Sequence, residues 1–396
     1  MKENKPRIVI WGADNYNTLG MLRSLGKEDF DILLLINGRR HGVASASKYC
    51  QKYHETRNVE EAVEYLINNY LPQSDPLKRA VLMPGGDDYS IGTALNYDRL
   101  KSRFHLMCTS DPEVLLKVTD KNVMGEIAQE SGILVPPSSL ITKDNLNHTI
   151  PYPVILKHVH TEGPVEFKTR IIKSEQELKA FSKFWNPKNT YLVQQYINKS
   201  HDIYMYGCRL NDGEVILAGI NNQYRWSDDG GGSFGDLSPE IPDYIDRKAL
   251  ERFFEKIDYH GLFSSEYGFC DGKAYFYEVN LRNDGFTHLS LQAGANLPLL
   301  WVSDCLKLNL KASPVMTKNM KSFNEIYDII NVFKGHISYR QYKRDKASAG
   351  AFNFYDPEDP QPFKNMKKRQ WWEIPVRAVY KILRPQIVWV MSKLKG

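Results

Sequence analysis

Residues 264–285 read SSEYGFCDGKAYFYEVNLRNDG, and this stretch decides the fold. SSEYGF and AYFYEVN read as two short strands joined by an Asp-Gly turn at Asp271-Gly272. A hairpin of this kind sets the residues near Glu266 and Glu278 beside each other on adjacent strands. In the second strand, period-2 alternation sends Glu278 and Asn280 to one side, with Arg282 just beyond them. Two carboxylates and an amide oxygen suit a hard cation such as Mg2+, and an arginine beside them could neutralise a phosphate in transfer. The same letters also fit a solvated hairpin face carrying two unrelated glutamates.

Upstream, the first hundred residues alternate in α/β fashion. RIVIWGA reads as a strand, followed by a loop and an amphipathic helix around Thr18 to Leu25. DILLLI is a second, buried strand, VEEAVEYLINNY a helix, AVLMPGGDD a strand running into a glycine turn, and FHLMC a further short strand. The pattern predicts a doubly wound unit, with ligands outside the carboxyl ends of its strands. Trp11 to Asn15 and Pro84 to Asp88 fall there, as substrate-facing loops or simple turns. Neither completes GxGxxG, so no dinucleotide site is inferred.

Between this unit and the hairpin lie a helix-rich section from Asp111 to Gly132, the strand PYPVILKHV, the helix EQELKAFSKFW and the strand TYLVQQYI. A Gly/Asp-rich loop then spans Trp226 to Leu237, holding three consecutive glycines with Asp228, Asp229 and Asp236 and preceded by Arg225. It reads either as a flexible cover that excludes water from a reactive intermediate, with Arg225 as a catalytic candidate, or as an exposed hairpin linker. The helix Arg247 to Ile257 precedes the glutamate hairpin, and no internal repeat is visible.

With 396 residues, 42% of them apolar and 25% charged, the chain can hold two or three full-sized cores. The five cysteines form no CxxC pair or metal spacing and favour a reducing compartment. The N-terminus lacks a signal-peptide h-region, and there is no apolar run of about 18 residues to span a membrane. The net charge of +5 is local: residues 363–396 hold nine Lys or Arg against Glu373 alone, leaving a net −3 on the other 362 residues. A near-neutral body with a basic tail is unlike a nucleic-acid groove, and no nucleic-acid partner is expected.

Taken in order, these pieces resemble the ATP-grasp superfamily over roughly residues 5 to 305. Asp120-Lys121 followed by GEIAQESGILVPPS is similar to the family's first nucleotide lysine, its helix and its exit. PVILKH puts Lys157 where the second lysine sits, and YLVQQYI is similar to the hinge strand whose backbone binds adenine. The resemblance implies ATP and Mg2+ as cofactors, with Mn2+ as a substitute. Lys121, Lys157, Gln194, Gln195, Ile197 and Asp202 would hold the nucleotide, Glu266, Glu278 and Asn280 the metal, and Arg282 the phosphoryl group. Two positions depart from the pattern. The hinge carries Gln194-Gln195 where Gln-Glu is usual, and the phosphate-covering loop His158 to Lys168 offers only Gly163.

The expected fold is therefore α/β: an ATP-grasp fold preceded by a doubly wound parallel-sheet domain and followed by a basic C-terminal extension. Boundaries are expected at 1–108, 109–310 with a small lid at about 133–192, and 311–396. The resemblance implies an ATP-dependent carboxylate–amine ligase forming an amide or peptide bond through an acyl phosphate. It is similar to stand-alone amino-acid ligases of cell-wall or surface-polysaccharide synthesis, and it also admits a homodimer. An ATP-binding regulatory or scaffold protein with a degenerate site is the other class in view. No Ser-His-Asp or Cys-His arrangement argues for different chemistry.

In the tail, Val376, Val379, Tyr380 and Leu383 recur at helical spacing, with Arg377, Lys381 and Arg384 on a different side and Trp371, Trp372 and Trp389 nearby. A helix lying on an anionic membrane fits this pattern, and so does packing on the core or in a partner groove. The first reading places a cytoplasmic protein at the inner face of a membrane, acting on small-molecule or lipid-linked carboxylate and amine substrates. The segment Ile337 to Phe354, with Arg340, Arg344 and Ser348, is expected to close the substrate side.

Overall fold

The computed structural model describes residues 5–159, 169–227 and 230–369. The chain opens with β1 (Arg7–Gly12), α1 (Tyr16–Leu25), β2 (Asp31–Asn37), β3 (Lys52–Thr56), α2 (Val59–Asn69), β4 (Ala80–Pro84), α3 (Asp87–Leu95), α4 (Tyr97–Leu100) and β5 (Phe104–Leu106). The strands form a parallel sheet in the order β3-β2-β1-β4-β5. Their near-continuous apolar runs exist because both faces are covered. Ile8, Ile10, Ile32, Leu34, Val81 and Met83 pack on α1 and later helices. Val9, Trp11, Leu33, Leu35 and Leu82 alternate with them and pack on α2.

Next come β6 (Cys108–Thr109), α5 (Pro112–Val118) and α6 (Lys121–Glu130). The helix-rich section read from Asp111 to Gly132 is thus two helices. Asp120 breaks it, because its side chain accepts the N–H groups of Asn122 and Val123 as an N-cap. A four-stranded antiparallel sheet follows, built from β7 (Ser138–Thr142), β8 (Val154–His158), β9 (Thr169–Ile172) and β10 (Thr190–Gln195) in the order β7-β10-β8-β9, with α7 (Glu175–Ser182) against it. It closes on its own core of Ile141, Ile150, Val154, Leu156, Ile172, Leu178, Trp185, Tyr191 and Val193.

The largest sheet runs β15-β14-β11-β12-β13-β16-β17, with β6 pairing to β14. Its strands are β11 (His201–Arg209), β12 (Val215–Trp226), β13 (Gly232–Ser238), β14 (Tyr259–Cys270), β15 (Lys273–Asn280), β16 (Met320–Phe323) and β17 (Ala351–Phe352). The helices of this part are α8 (Arg247–Ile257), α9 (Thr287–Gln292), α10 (Leu297–Leu306), α11 (Glu325–Phe333) and α12 (Tyr339–Ser348). Helices α5, α6 and α8 bury Leu115, Met124, Phe253 and Phe254 against one side of the sheet. Most of the expected Gly/Asp-rich loop is strand, since residues 215–226 and 232–238 pair as β12 and β13. The Asp-Gly turn forms as read, with positive φ at Asp271 (49°) and Gly272 (77°).

The C-terminal segment returns to the first sheet unit. Arg23 on α1 donates from Nε to Asp359 Oδ2 at 3.0 Å and from Nη2 to the carbonyls of Phe354 (3.0 Å) and Asp359 (2.9 Å). Both side chains of this ion pair are 1% exposed. No helix among the described residues is long and apolar enough to cross a membrane. The amphipathic reading of residues 376–383, the phosphate-covering loop at 160–168, and Asp228 and Asp229 lie outside the described residues.

Candidate active site

The hairpin strands β14 and β15 place Glu266 directly opposite Glu278. One register shift falls beside this pair: Tyr267 faces Phe276 while Glu266 faces Glu278, so Tyr277 is a bulge residue. Phe276 and Val279 both reach the core despite being three residues apart. Tyr277, Glu278 and Asn280 are all left lining the cleft on the other face.

Unequal neighbours drive the two carboxylates in opposite directions. Lys121, the first residue of α6, holds its Nζ 2.7 Å from Glu278 Oε2. The ammonium keeps Glu278 below the usual carboxylate range, and Glu278 in turn raises Lys121. Among the described residues, Glu266 makes no such ion pair. Desolvation, followed by repulsion from Glu278, pushes it well above the ordinary range. A second cation within reach of both carboxylates would relieve that cost.

Lys157 enters from β8 and donates to Gln194 Oε1 at 2.9 Å, with its ammonium 5.3 Å from the centre of the Tyr277 ring. Burial, then repulsion from Lys121, draws its pKa down to about 8. Gln194 is 5% exposed and is committed to this lysine. Gln195 ends β10, its N–H donating to Pro137 O at 2.8 Å, and Ile197 is buried just after it. Asp202 on β11 is 4% exposed and pairs through Oδ2 with Lys199 Nζ at 2.6 Å. Burial raises its pKa, against the pull of Lys199 and the Trp226 indole.

Arg282 makes a two-pronged contact with Asp87 at the start of α3, Nε to Oδ1 at 2.6 Å and Nη2 to Oδ2 at 3.2 Å. Its Nη2 also donates to Asn280 Oδ1 at 3.0 Å. Asn280 Nδ2 donates to Glu266 Oε1 at 3.1 Å. The amide oxygen therefore faces Arg282, and ligation of a metal beside Glu266 requires a half-turn of this amide. Among the described residues, no three His, Cys, Asp or Glu side chains are gathered as a metal site. The donor set is two carboxylates with one amide, which fits a hard cation that keeps several waters.

Six sequence candidates thus meet: Lys121, Lys157, Glu266, Glu278, Asn280 and Arg282 all line one cleft of about 490 Å3. A second cavity of about 310 Å3, bounded by Asp87, Leu115 and Met124, opens onto the same carboxylate pair. The structure does not bring Arg225 there. Its Nε and Nη2 bind Asp328 on α11, each at 2.7 Å, and its Nη1 binds Asp345 on α12 at 2.9 Å. Asp328 is fully buried, so this arginine clamps α11 and α12 to β12.

Two participants escape the sequence candidates, and a third is found with an unforeseen partner. Asp87 lies in the candidate loop Pro84 to Asp88, but it is 195 residues from Arg282 and carries no local signal of that pairing. Tyr277 joins the site only through the bulge. Asp284 could have been found by continuing the period from Glu278, Asn280 and Arg282 by one more step.

No protein-family model and no curated relative matches the chain in sequence. Solved structures do match. The N5-carboxyaminoimidazole synthetase from Staphylococcus aureus, complexed with ADP, shares 15% identity at a TM-score of 0.64 over 85% of this chain and 88% of its own. An L-amino acid ligase from Bacillus licheniformis shares 12% identity at 0.60 over 80% and 79%. The biotin carboxylase domain of the Hydrogenobacter thermophilus 2-oxoglutarate carboxylase, with MgADP and bicarbonate, shares 15% at 0.61 over 81% and 74%. At this identity the likeness concerns architecture: the chain has the α/β ATP-grasp fold, led by a parallel-sheet unit.

Proposed function

We propose that the protein is an ATP-dependent ligase that joins a carboxylate to an amine through an acyl phosphate. The observation that carries this is the opposed Glu266–Glu278 pair, half-buried at the meeting of two cavities and flanked by Lys121, Lys157 and Arg282. In the proposed reaction a carboxylate oxygen bonds to the γ-phosphorus and ADP leaves. The amine nitrogen then bonds to the acyl carbon, the acyl carbon–oxygen bond breaks, and the departing phosphate takes the proton that the nitrogen gives up. Such chemistry needs positioning and charge compensation rather than a nucleophilic side chain.

Within this reading Lys121 and Lys157 hold the nucleotide phosphates, Arg282 presents a planar fork to the transferred group, and Gln195, Ile197 and Asp202 border the nucleoside. A bound Mg2+, or Mn2+ in its place, would be held by Glu266 and Glu278, with Asn280 after its amide turns, and would offset the phosphate charge. Acceptors among cell-wall or surface-glycan precursors, and contact of the basic tail with an anionic membrane, extend the proposal on the composition of residues 363–396.

The test is ADP release from MgATP over a grid of carboxylates (bicarbonate, amino acids and uronic acids) and amines, with products weighed by mass spectrometry. A product heavier by one condensation, absent with Glu278→Ala, is the expected result. Nucleotide binding without product across the grid would favour the regulatory class instead.

Lys157 adds a pH dependence to nucleotide binding. Below about pH 8 its ammonium is already charged, and affinity for ADP should be level. Above that, the free protein has lost this proton while the phosphates favour its return, so affinity should fall toward about tenfold per pH unit. Calorimetry from pH 7 to 9.5, in buffers of different ionisation enthalpy, should record proton uptake at the alkaline end. A level affinity or proton release there would remove Lys157 from the phosphates.

A further inference from the structure

Beyond Arg282, the larger cleft changes character. Its lining cations are Lys121, Lys157 and Arg282, each engaged by Glu278, Gln194 or Asp87. The remaining described lining residues include Tyr16, Asn17, Tyr204, Asp284, Gly285 and Phe286, and none of the remainder is Lys, Arg or His. Asp284 is the one carboxylate at this end among the described residues and is only 6% exposed. Its Oδ1 accepts the Phe286 N–H at 2.8 Å.

A second acceptor lies close by. Asn17 Oδ1 is buried and has no hydrogen-bond partner, while Asn17 Nδ2 is held by Gly85 O at 3.3 Å. Gly285 shows how tightly these groups converge. A Cβ on it would lie 2.4 Å from Tyr16 Cε2 and 3.4 Å from Asn17 Oδ1. The rings of Tyr204 and Phe286, 4.8 Å apart between centroids, complete the wall.

We propose that this end of the cleft seats the acceptor and selects a primary ammonium compound free of phosphate, through Asp284, the Asn17 amide oxygen and the surrounding aromatic rings. The inference rests on the ligase reading and names its amine. An ammonium group offers three donors and no acceptor. It therefore matches a buried carboxylate, an unfilled amide oxygen and aromatic faces. A phosphate ester of such an amine would add acceptors and a dianion beside Asp284, with no free cation on the described walls to offset it.

The test is calorimetric titration of the full chain, saturated with MgADP, using three matched pairs: ethanolamine and O-phosphoethanolamine, glucosamine and glucosamine 6-phosphate, L-serine and O-phospho-L-serine. At least one free amine should bind, with its phosphate ester weaker by about tenfold or more. Asp284→Asn should weaken the free amine by about 10- to 100-fold and leave MgADP affinity and the melting temperature in place. Should that variant misfold, Asn17→Ala removes the second acceptor and should weaken the same amine by several-fold.

Phosphate esters that bind as tightly as their parents, an Asp284→Asn variant with undiminished amine affinity, or no amine binding at all would overturn the proposal. A phosphorylated amine consumed in Glu278-dependent ADP release would also overturn it, while leaving the ligase reading intact. Asp284-dependent amine binding with no ADP release from any pair would overturn the ligase reading alone.

Discussion

Glu278→Gln is expected to lower amine-dependent ADP release by about 10²- to 10³-fold, the scale seen when one preorganised electrostatic partner leaves an active site. Glutamine keeps the shape and removes the charge. Lys121 then loses its 2.7 Å partner, and the carboxylate pair is halved where the proposed metal would bridge it. Folding should be nearly unaffected, because the lost ion pair is offset by relief of Glu266 from the Glu278 repulsion that adds to its desolvation. ADP affinity should fall less than the rate, since Lys157 and the hinge remain. Steady-state ADP release, a melting curve and ADP calorimetry on the same preparation separate these effects. A variant as active as the parent would remove the carboxylate pair from the chemistry.

The largest effect on stability is expected where the C-terminal segment meets α1. Arg23→Met leaves the Asp359 carboxylate without its cation, still accepting from Ser47 Oγ at 2.7 Å and the Lys48 N–H at 2.9 Å. Both partners are almost fully buried, so losing one should cost about 3–5 kcal/mol. The arginine also satisfies the carbonyls of Phe354 and Asp359, so the C-terminal segment should loosen from α1 and become a target for limited proteolysis. A well-packed apolar pair can replace a buried ion pair at little cost. The double variant Arg23→Met/Asp359→Leu should therefore regain part of the loss, which denaturant melts would record. Equal stability of the single variant and the parent would show that this contact does not hold the segment.

The fold was legible wherever a local rule sufficed. Asp271-Gly272 marked the turn, and alternation put Glu278 and Asn280 on one face. The continuous apolar runs of β1, β2 and β4 announced a sheet covered on both sides. Arg225 marks where local rules end: its partners lie 103 and 120 residues further along the chain, and nothing beside it tells a clamp from a catalytic group. Tyr277 was hidden for a different reason, because one bulge overrides the two-residue period that made its neighbours readable. The strand character of residues 232–238 was masked by glycines, which weaken a strand by propensity yet pair here with β12 and β16.

The small antiparallel sheet closes on its own nine-residue core, and this separation has a dynamic consequence. A unit with a private core can open without dissolving the rest of the molecule. Backbone amides of β8 and β10 should therefore exchange with solvent through a partial opening cheaper than global unfolding. The central strands β11 and β14 should exchange only when the whole chain unfolds. MgADP, which under the proposed reading bridges Lys157 on this sheet to Glu278 outside it, would raise the cost of the partial opening in proportion to its concentration over its Kd. Protection on β8 and β10 would thus become a readout of occupancy that needs no knowledge of the substrates.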